Sequence, residues 1–145
     1  MFIRDQEFPP STGTLVTAGI AGLLAKGWSS TGLTVRGKKP AGTTADPLTR
    51  RMVAIRDDSG PIVGRVSRRR QGVRVWADSS VDAENICHDL MAVFGAMADG
   101  NPIARTHSFT GPFDVTDDVP LIVASKPLTE FYFTFIADVK GSKPA

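Results

Sequence analysis

The segment Gly72-Val-Arg-Val-Trp-Ala-Asp78 is typical of a β-strand, and it leads directly into a helical pattern that begins near Ser80. A second segment, Glu130-Phe-Tyr-Phe-Thr-Phe-Ile-Ala-Asp-Val139, places apolar side chains on both faces of a predicted strand. Such a strand is expected at the centre of a sheet or beneath a partner. These two segments predict a small α+β fold.

Length and composition indicate one globular domain over residues 1–145. The chain is 41% hydrophobic and 22% charged, which is enough for a sizeable core. Cys87 is the single cysteine, so no internal disulfide is expected and a reducing compartment is the natural setting. The N-terminus does not resemble a signal peptide, and the apolar stretch Leu15 to Ala25 is shorter than the about 20 residues that span a bilayer. No membrane segment is expected.

Outside the two deciding segments, periodicity and turn signals predict the remaining elements. Residues 1–10 are predicted to be an extended arm, because Pro9 and Pro10 oppose a helix, and residues 29–49 a long loop with a short strand at Leu33 to Arg36. An N-terminal helix is predicted between them, and its apolar face is Leu15, Val16, Ile20, Leu23 and Leu24.

The central part of the chain predicts a hairpin. Its strands are Arg51 to Arg56 and Ile62 to Val66, and its turn is Asp57-Asp-Ser-Gly60. A long helix follows the Asp78-Ser-Ser80 cap, and its apolar stripe is Ile86, Leu90, Val93, Phe94 and Met97.

A strand at Ile103 to Phe109 and an acidic loop at Gly111 to Pro120 complete the prediction. The predicted fold is therefore a mixed, mostly antiparallel sheet with the long amphipathic helix and the N-terminal helix packed on one face, plus an extended hairpin.

Charge is divided along the chain although the net charge is only +2. Residues 34–74 contain eleven Lys and Arg against three Asp, whereas residues 77–145 contain four against ten Asp and Glu. The densest basic run, Arg65-Val-Ser-Arg-Arg-Arg-Gln-Gly-Val-Arg74, has three interpretations: a solvated hairpin or loop, a contact with a partner subunit, or a nucleic-acid contact. Surfaces of opposite sign on one chain fit head-to-tail contact between identical subunits.

No catalytic or metal-binding constellation emerges from the sequence. Cys87 and His88 are adjacent on the predicted helix, so their side chains diverge by about 100 degrees and do not form a nucleophile and base pair. The acidic doublets Asp57-Asp58 and Asp117-Asp118 are typical of solvated turns. Phosphate-binding loops, nucleophile elbows and zinc-protease motifs are not found in the sequence. We expect a non-enzymatic protein without a cofactor.

From residue 50 to residue 141, the order of elements resembles the tail terminator, or tail completion, proteins of long-tailed bacteriophages. The resemblance is carried by four short segments of the chain: Val73-Arg-Val-Trp-Ala-Asp78, the helix opening Val81-Asp-Ala-Glu-Asn-Ile86, Gly111-Pro-Phe113 and Val139-Lys-Gly141.

This resemblance implies a structural virion protein of the tail neck, assembled in the host cytoplasm. It would form a hexameric ring on the head-proximal end of the tail tube, end polymerisation of the tail tube protein and join the tail to the head connector or stopper protein. Genomic DNA would pass through the lumen without specific binding. The family supplies no catalytic residues. Two alternatives stay open, another neck or tail-tube component and a small nucleic-acid-binding protein with a basic hairpin.

Within such a ring, the densest opposite charges are predicted to meet between neighbouring subunits. We expect basic residues of one subunit to face acidic residues of the next, because both groups lie on segments predicted to be exposed. The candidate interface residues are Arg65, Arg68, Arg69 and Arg70 on one side and Asp114, Asp117 and Asp118 on the other.

Overall fold

The computed structural model describes residues 11–58, 60, 62–63, 66–97 and 103–140. Within these residues a mixed β-sheet packs against two helices, in agreement with the predicted α+β class. The predicted arm at residues 1–10 lies outside the described residues. The helices are α1 (Ser11–Ala25) and α2 (Ser80–Gly95), and the strands are β1 (Leu33–Arg36), β2 (Arg51–Asp57), β3 (Ile62–Val63), β4 (Val66–Ala77), β5 (Ile103–Asp114), β6 (Ile122–Val123), β7 (Lys126–Pro127) and β8 (Thr129–Lys140).

The main sheet has the strand order β1-β2-β4-β8-β5, and the short β3 also pairs with β4. Only β1 and β2 run parallel; the other described pairs in this sheet are antiparallel. Strand β8 lies between β4 and β5, so its two apolar faces correctly predicted a central strand. Strands β6 and β7 form a separate two-stranded sheet.

The main core lies between the helices and one face of the sheet. Phe133 and Phe135 on β8 are buried, as is Phe94 on α2. The Phe94 and Phe135 rings stack with their centroids 5.2 Å apart, and Phe109 of β5 stacks on Phe135 at 4.9 Å. Aromatic stacking adds to the burial of apolar area, so these rings fix α2 against the centre of the sheet.

Helix α1 approaches α2 through its glycines. Leu15 and Leu23 are fully buried, whereas Ile20 and Leu24 of the predicted apolar face remain 41% and 44% exposed. At Gly22 an added Cβ would lie 2.3 Å from Val93 Cγ2. The buried face is therefore rotated from the predicted one, because close contact with α2 requires the face that carries glycine.

Helix α2 begins as its capping signal predicts. The Ser79 side chain accepts a hydrogen bond from the Asp82 backbone N–H at 3.1 Å, and Asp82 adds a negative charge to the first turn. The helix ends at Gly95, and the predicted stop at residues 99–102 lies outside the described residues.

The predicted hairpin has a different pairing. Strand β2 pairs with residues 71–76 of β4, and β3 pairs with residues 66–67 of the same strand, so the chain reverses after Val63 rather than at Asp57 to Gly60. The backbone N–H of Asp58 donates to the Arg70 carbonyl at 2.8 Å, which keeps this segment beside β4. The predicted turn was wrong. Strand β2 before the polar segment and strand β3 after it both pair with β4, so the two strands run in the same direction.

Two further boundaries differ from the prediction. Strand β4 begins at Val66, so Arg68 to Arg70 belong to a central strand and not to a hairpin tip or loop. Strand β5 continues to Asp114 through residues predicted as loop. It does so with positive φ at Ser108 and Gly111 and with shifts of register, which allow an irregular strand to follow β8 at the sheet edge.

Candidate functional site: the open face of the sheet

We call the sheet face opposite the helices the open face. Side chains alternate along β4, so Arg68, Arg70, Gly72, Arg74 and Trp76 lie on this face, while the intervening buried residues face α1 and α2. At one end a second apolar cluster covers the open face. It consists of Met52, Ala54, Trp76 and Leu128, with Leu48, Leu121 and Val123 packed against them.

A cleft of about 460 Å³ crosses the middle of the open face, and we call it the sheet cleft. Gly72, Arg74 and Trp76 of β4 lie along its floor, with Tyr132 of β8 beside them. One wall is formed by β2 and the segment after β1, and it contains Lys38, Lys39, Arg56 and Asp58; the other contains Glu130, Asp117 and Leu121.

A hydrogen-bonded network fixes the floor of the sheet cleft. Glu130 Oε1 accepts a hydrogen bond from Trp76 Nε1 at 3.0 Å, and Glu130 Oε2 pairs with Arg74 Nη1 at 2.5 Å. The Arg74 guanidinium also lies over the Tyr132 ring, 5.4 Å from its centroid. Gly72 permits this arrangement, because a Cβ there would lie 2.9 Å from Tyr132 Oη.

A basic patch lies on the open face at the end of the sheet where β4 begins. It consists of Arg68, Arg70, Arg105 and Lys140, all exposed. Arg68 on β4 and Arg105 on β5 both stand opposite Asp138 on β8, which places them side by side. The patch therefore carries four positive charges, two of which, on Arg68 and Arg105, flank one carboxylate.

Asp138 is the buried anion of the basic patch, only 4% exposed. Its Oδ2 accepts from Arg105 Nε at 2.7 Å and lies 3.2 Å from His107 Nε2, while Arg68 Nε is 3.8 Å from Oδ1. Burial alone would raise the pKa of Asp138, but the hydrogen bond from Arg105 and the neighbouring His107 ring outweigh burial and hold this pKa below its ordinary value. Asp138 therefore stays ionised and orients the surrounding cations.

The arginine run does not form a single surface. Arg69 points to the other side of β4, and its Nε donates to Asp57 Oδ2 at 2.6 Å in a partly buried pair. Only Arg68 and Arg70 of the described run contribute to the basic patch, and Arg65 lies outside the described residues. The expectation that Arg68, Arg69 and Arg70 share one exposed surface was wrong, because strand alternation separates them.

Of the three candidate aspartates, Asp114 is the last residue of β5 at the other end of the sheet, and Asp117 and Asp118 follow the strand. We call residues 114–118 the acidic loop. Asp114 Oδ1 accepts from the Thr116 backbone N–H at 3.0 Å and from its hydroxyl at 2.7 Å, and these bonds lower the pKa of Asp114. Asp117 lines the sheet cleft, and Asp118 is exposed. Asp114 thus stabilises the turn, whereas Asp117 and Asp118 present their charge outward.

The basic patch and the acidic loop are too far apart to pair within one subunit. Asp114 stands opposite Phe131 of β8, and Arg68 stands opposite Asp138. Seven residues of extended strand, at about 3.4 Å each, separate the two positions by about 24 Å. At this distance two unit charges in water interact by only about 0.2 kcal/mol before salt screening reduces it further. Each surface is free to attract a second molecule.

Cys87 and His88 are neighbours on α2 but lie in different environments, the first buried and the second exposed. Burial raises the pKa of the Cys87 thiol to about 12, so this thiol stays protonated at neutral pH. His88 pairs with Glu84 one turn earlier on the exposed face of α2. No group of three or more His, Cys, Asp or Glu side chains suited to a metal occurs among the described residues. Neither described helix has the length and apolarity needed to cross a bilayer.

Sequence reasoning missed Arg105, Asp138 and the sheet cleft. Asp138 gives a faint signal, since it is a carboxylate within an otherwise apolar strand, but its partners come from β4 and β5 and depend on register. No model of a known protein family matches the chain, and no curated protein sequence is significantly similar to it. The functional argument therefore depends on the charged surfaces and on the resemblance of the sequence segments.

Proposed function

We propose that this chain is a structural subunit of a bacteriophage tail, forming a ring that caps the head-proximal end of the tail tube. The ring ends polymerisation of the tail tube protein and joins the tail to the head connector or stopper. Its lumen passes genomic DNA without specific binding.

The observation that carries this proposal is the separation of opposite charges along one sheet. A head-to-tail ring needs two different, complementary surfaces on every subunit. The basic patch and the acidic loop meet this requirement, because they have opposite sign and lie about 24 Å apart along β8. In the proposed ring, Arg68 and Arg70 of one subunit face Asp117 and Asp118 of the next.

The sheet edges support side-chain contact rather than continuous strand pairing between subunits. Strand β1 at one edge has four residues. Strand β5 at the other edge has register shifts at three positions. Short or bulged edge strands oppose the addition of another strand. Subunit contact through charged side chains is therefore the simpler arrangement.

Charge reversal tests the proposed contact. Replacing Arg68 and Arg70 with Glu spares the internal pair of Arg69 with Asp57 and the hydrogen bond from Arg105 to Asp138. Because Arg68→Glu also places a carboxylate near the buried Asp138, folding of the variant is first checked by circular dichroism. Exposed ion pairs are worth only about 0 to 1 kcal/mol each, but the double reversal places like charges at every interface of the ring. We expect folded protein that fails to cap tubes and leaves tails over-long or without heads.

The reciprocal variant and a matched control complete this test. Asp117→Lys with Asp118→Lys is expected to restore part of the capping, while Asp114 is left unchanged because it stabilises its own turn. Lys26→Glu reverses a charge just after α1, on the helix side of the sheet, and is expected to cap tubes normally. Normal capping by the Arg68 and Arg70 double variant would refute the pairing.

A second candidate function, nucleic-acid binding, is favoured by the four cations of the basic patch. The internal pair of Arg69 weighs against it, since the arginine run does not form one continuous cationic stripe. We expect weak duplex binding only. Tight binding by the isolated subunit that falls about tenfold or more between low and physiological salt would instead support this candidate.

Another neck or tail-tube component remains the alternative within the same structural class, and it predicts binding along the tube rather than at its end.

A further inference from the structure

We infer that the sheet cleft is a binding site for a nucleoside monophosphate, a ligand class that the proposed ring does not require. A volume of about 460 Å³ lies within the range of about 300 to 1,000 Å³ that is usual for small-molecule sites. A nucleoside monophosphate has a flat aromatic body, an anionic end and several hydroxyl or amino donors. The sheet cleft has a matching surface for each of these three parts of the ligand.

The floor of the sheet cleft is suited to a planar ring. Tyr132 and the Arg74 guanidinium form a platform, in which Arg74 lies over Tyr132 and is held by Glu130, while Trp76, only 5% exposed, lines the cleft from within the second apolar cluster. Bases stack on aromatic rings and on guanidinium planes. Ala54 and Gly72 line the same cleft and take up little of its volume.

The wall on the β1 and β2 side is suited to the phosphate. Lys38 and Lys39 follow β1 directly, and neither forms an ion pair with any other described residue. The pKa of Asp46 is lowered by hydrogen bonds from the Ala41 backbone N–H and from Arg36, with a smaller contribution from the charge of Lys38. Two neighbouring lysines that form no ion pair within the described part of the chain are a natural site for a phosphate group.

The opposite wall is suited to the donors of the ligand. Asp117 and Glu130 present acceptor oxygens there, and Glu130 is already oriented by Trp76 and Arg74. Carboxylates accept hydrogen bonds from hydroxyl and amino groups and repel a phosphate. The lysine wall also contains Asp58, but this carboxylate is paired with Arg56, so the two lysines give that wall an excess of positive charge while the opposite wall presents two carboxylates. A ligand with an anion at one end and donors at the other matches this difference between the walls.

The indole N–H signal of Trp76 reports ligand binding in the sheet cleft. The chain has two tryptophans, so ¹H–¹⁵N spectra of the full chain contain two indole signals, which Trp28→Phe assigns. Titration with 2′-deoxyadenosine monophosphate is expected to shift the Trp76 indole signal in a saturable manner and to leave that of Trp28 unchanged. Deoxyadenosine and inorganic phosphate, tested separately, are expected to bind about tenfold or more weakly, because each lacks one part of the contact.

Variants locate the site. Lys38→Glu with Lys39→Glu is expected to weaken binding about tenfold or more, whereas the control Lys26→Glu binds as the wild type does. Tyr132→Leu, a second variant that leaves the lysine wall intact, is expected to weaken binding to a similar extent. The inference is overturned if the Trp76 indole signal shows no saturable shift up to about 10 mM nucleotide. It is equally overturned if phosphate alone reproduces the shift, or if the lysine reversal binds like its control.

Discussion

The close contact between α1 and α2 predicts that replacing glycine by alanine changes protein stability differently at three positions of α1. At Gly22 an added Cβ would lie 2.3 and 2.7 Å from the two Val93 methyl groups and 3.1 Å from Val93 Cβ. At Gly19 the nearest atoms would be 3.5 Å away, which is ordinary contact, and at Gly13 no atom lies within 4 Å. The three positions therefore share a chemical change but differ in available space.

The size of the effect follows from two opposing terms. Replacing glycine by alanine inside a helix stabilises it by up to about 1 kcal/mol. Overpacking a close contact costs about 1 to 3 kcal/mol, and Val93 has little freedom to rotate away because a β-branched side chain has one preferred rotamer in a helix. We expect Gly22→Ala to lower the free energy of unfolding by about 1 kcal/mol, and Gly19→Ala and Gly13→Ala to raise it by up to about 1 kcal/mol.

Urea denaturation followed by circular dichroism measures all three changes. Repeating Gly22→Ala in a Val93→Ala background tests whether the close contact with Val93 causes the loss of stability. Removing the two close methyl groups should make Gly22→Ala stabilising or neutral. If Gly22→Ala stabilises the wild-type protein as much as Gly19→Ala does, the helices are not held together at this point and the packing argument fails.

Two further predictions concern buried ionisable groups. Asp138→Asn should lower the free energy of unfolding at about pH 7 by about 1 to 3 kcal/mol, because it leaves Arg105 and His107 without their anion. The folded-state pKa of Asp138 lies below its ordinary value of 3.8, so its contribution is present above that pH and is lost as the pH falls through the folded pKa. Wild type and variant should therefore converge in acid, and a difference independent of pH would contradict the assignment. Cys87, whose pKa is raised to about 12, should react with a thiol reagent only after unfolding, and rapid labelling of the native protein would show that α2 opens.

The sequence predicted those parts of the fold that depend on local pattern. Strand β8 was recognised as central because both of its faces are apolar, and α2 began where Ser79 and Asp82 indicated a cap. Strand β1 lies at Leu33–Arg36, where a short strand was expected. In each case the deciding information is contained within a few neighbouring residues.

Features that depend on pairing between distant strands could not be predicted. Asp57 to Gly60 has the composition of a turn, but whether the chain reverses there depends on which residues β4 offers as partners. Arg68 and Arg105 are far apart in sequence, and only the register of β4 and β5 on β8 brings both to Asp138.

The sheet cleft has a similar origin. Its lining comes from three strands of the main sheet together with the segments that follow β1 and β5. Each residue taken alone has an ordinary strand or loop environment, so no spacing in the sequence marks the site. The cleft exists because both described helices pack on the other face of the sheet.

The mass of the assembly at the end of a tail tube tests the proposed function most directly. Mass photometry and electron microscopy of the purified protein, with and without tail tubes that lack it, should show a ring of six copies of the 15.5-kDa chain, about 93 kDa, at one end of each tube. A free protein that is monomeric before it binds the tube is compatible with this account. A protein that stays monomeric and never binds tubes would contradict the account, as would one that binds along their whole length.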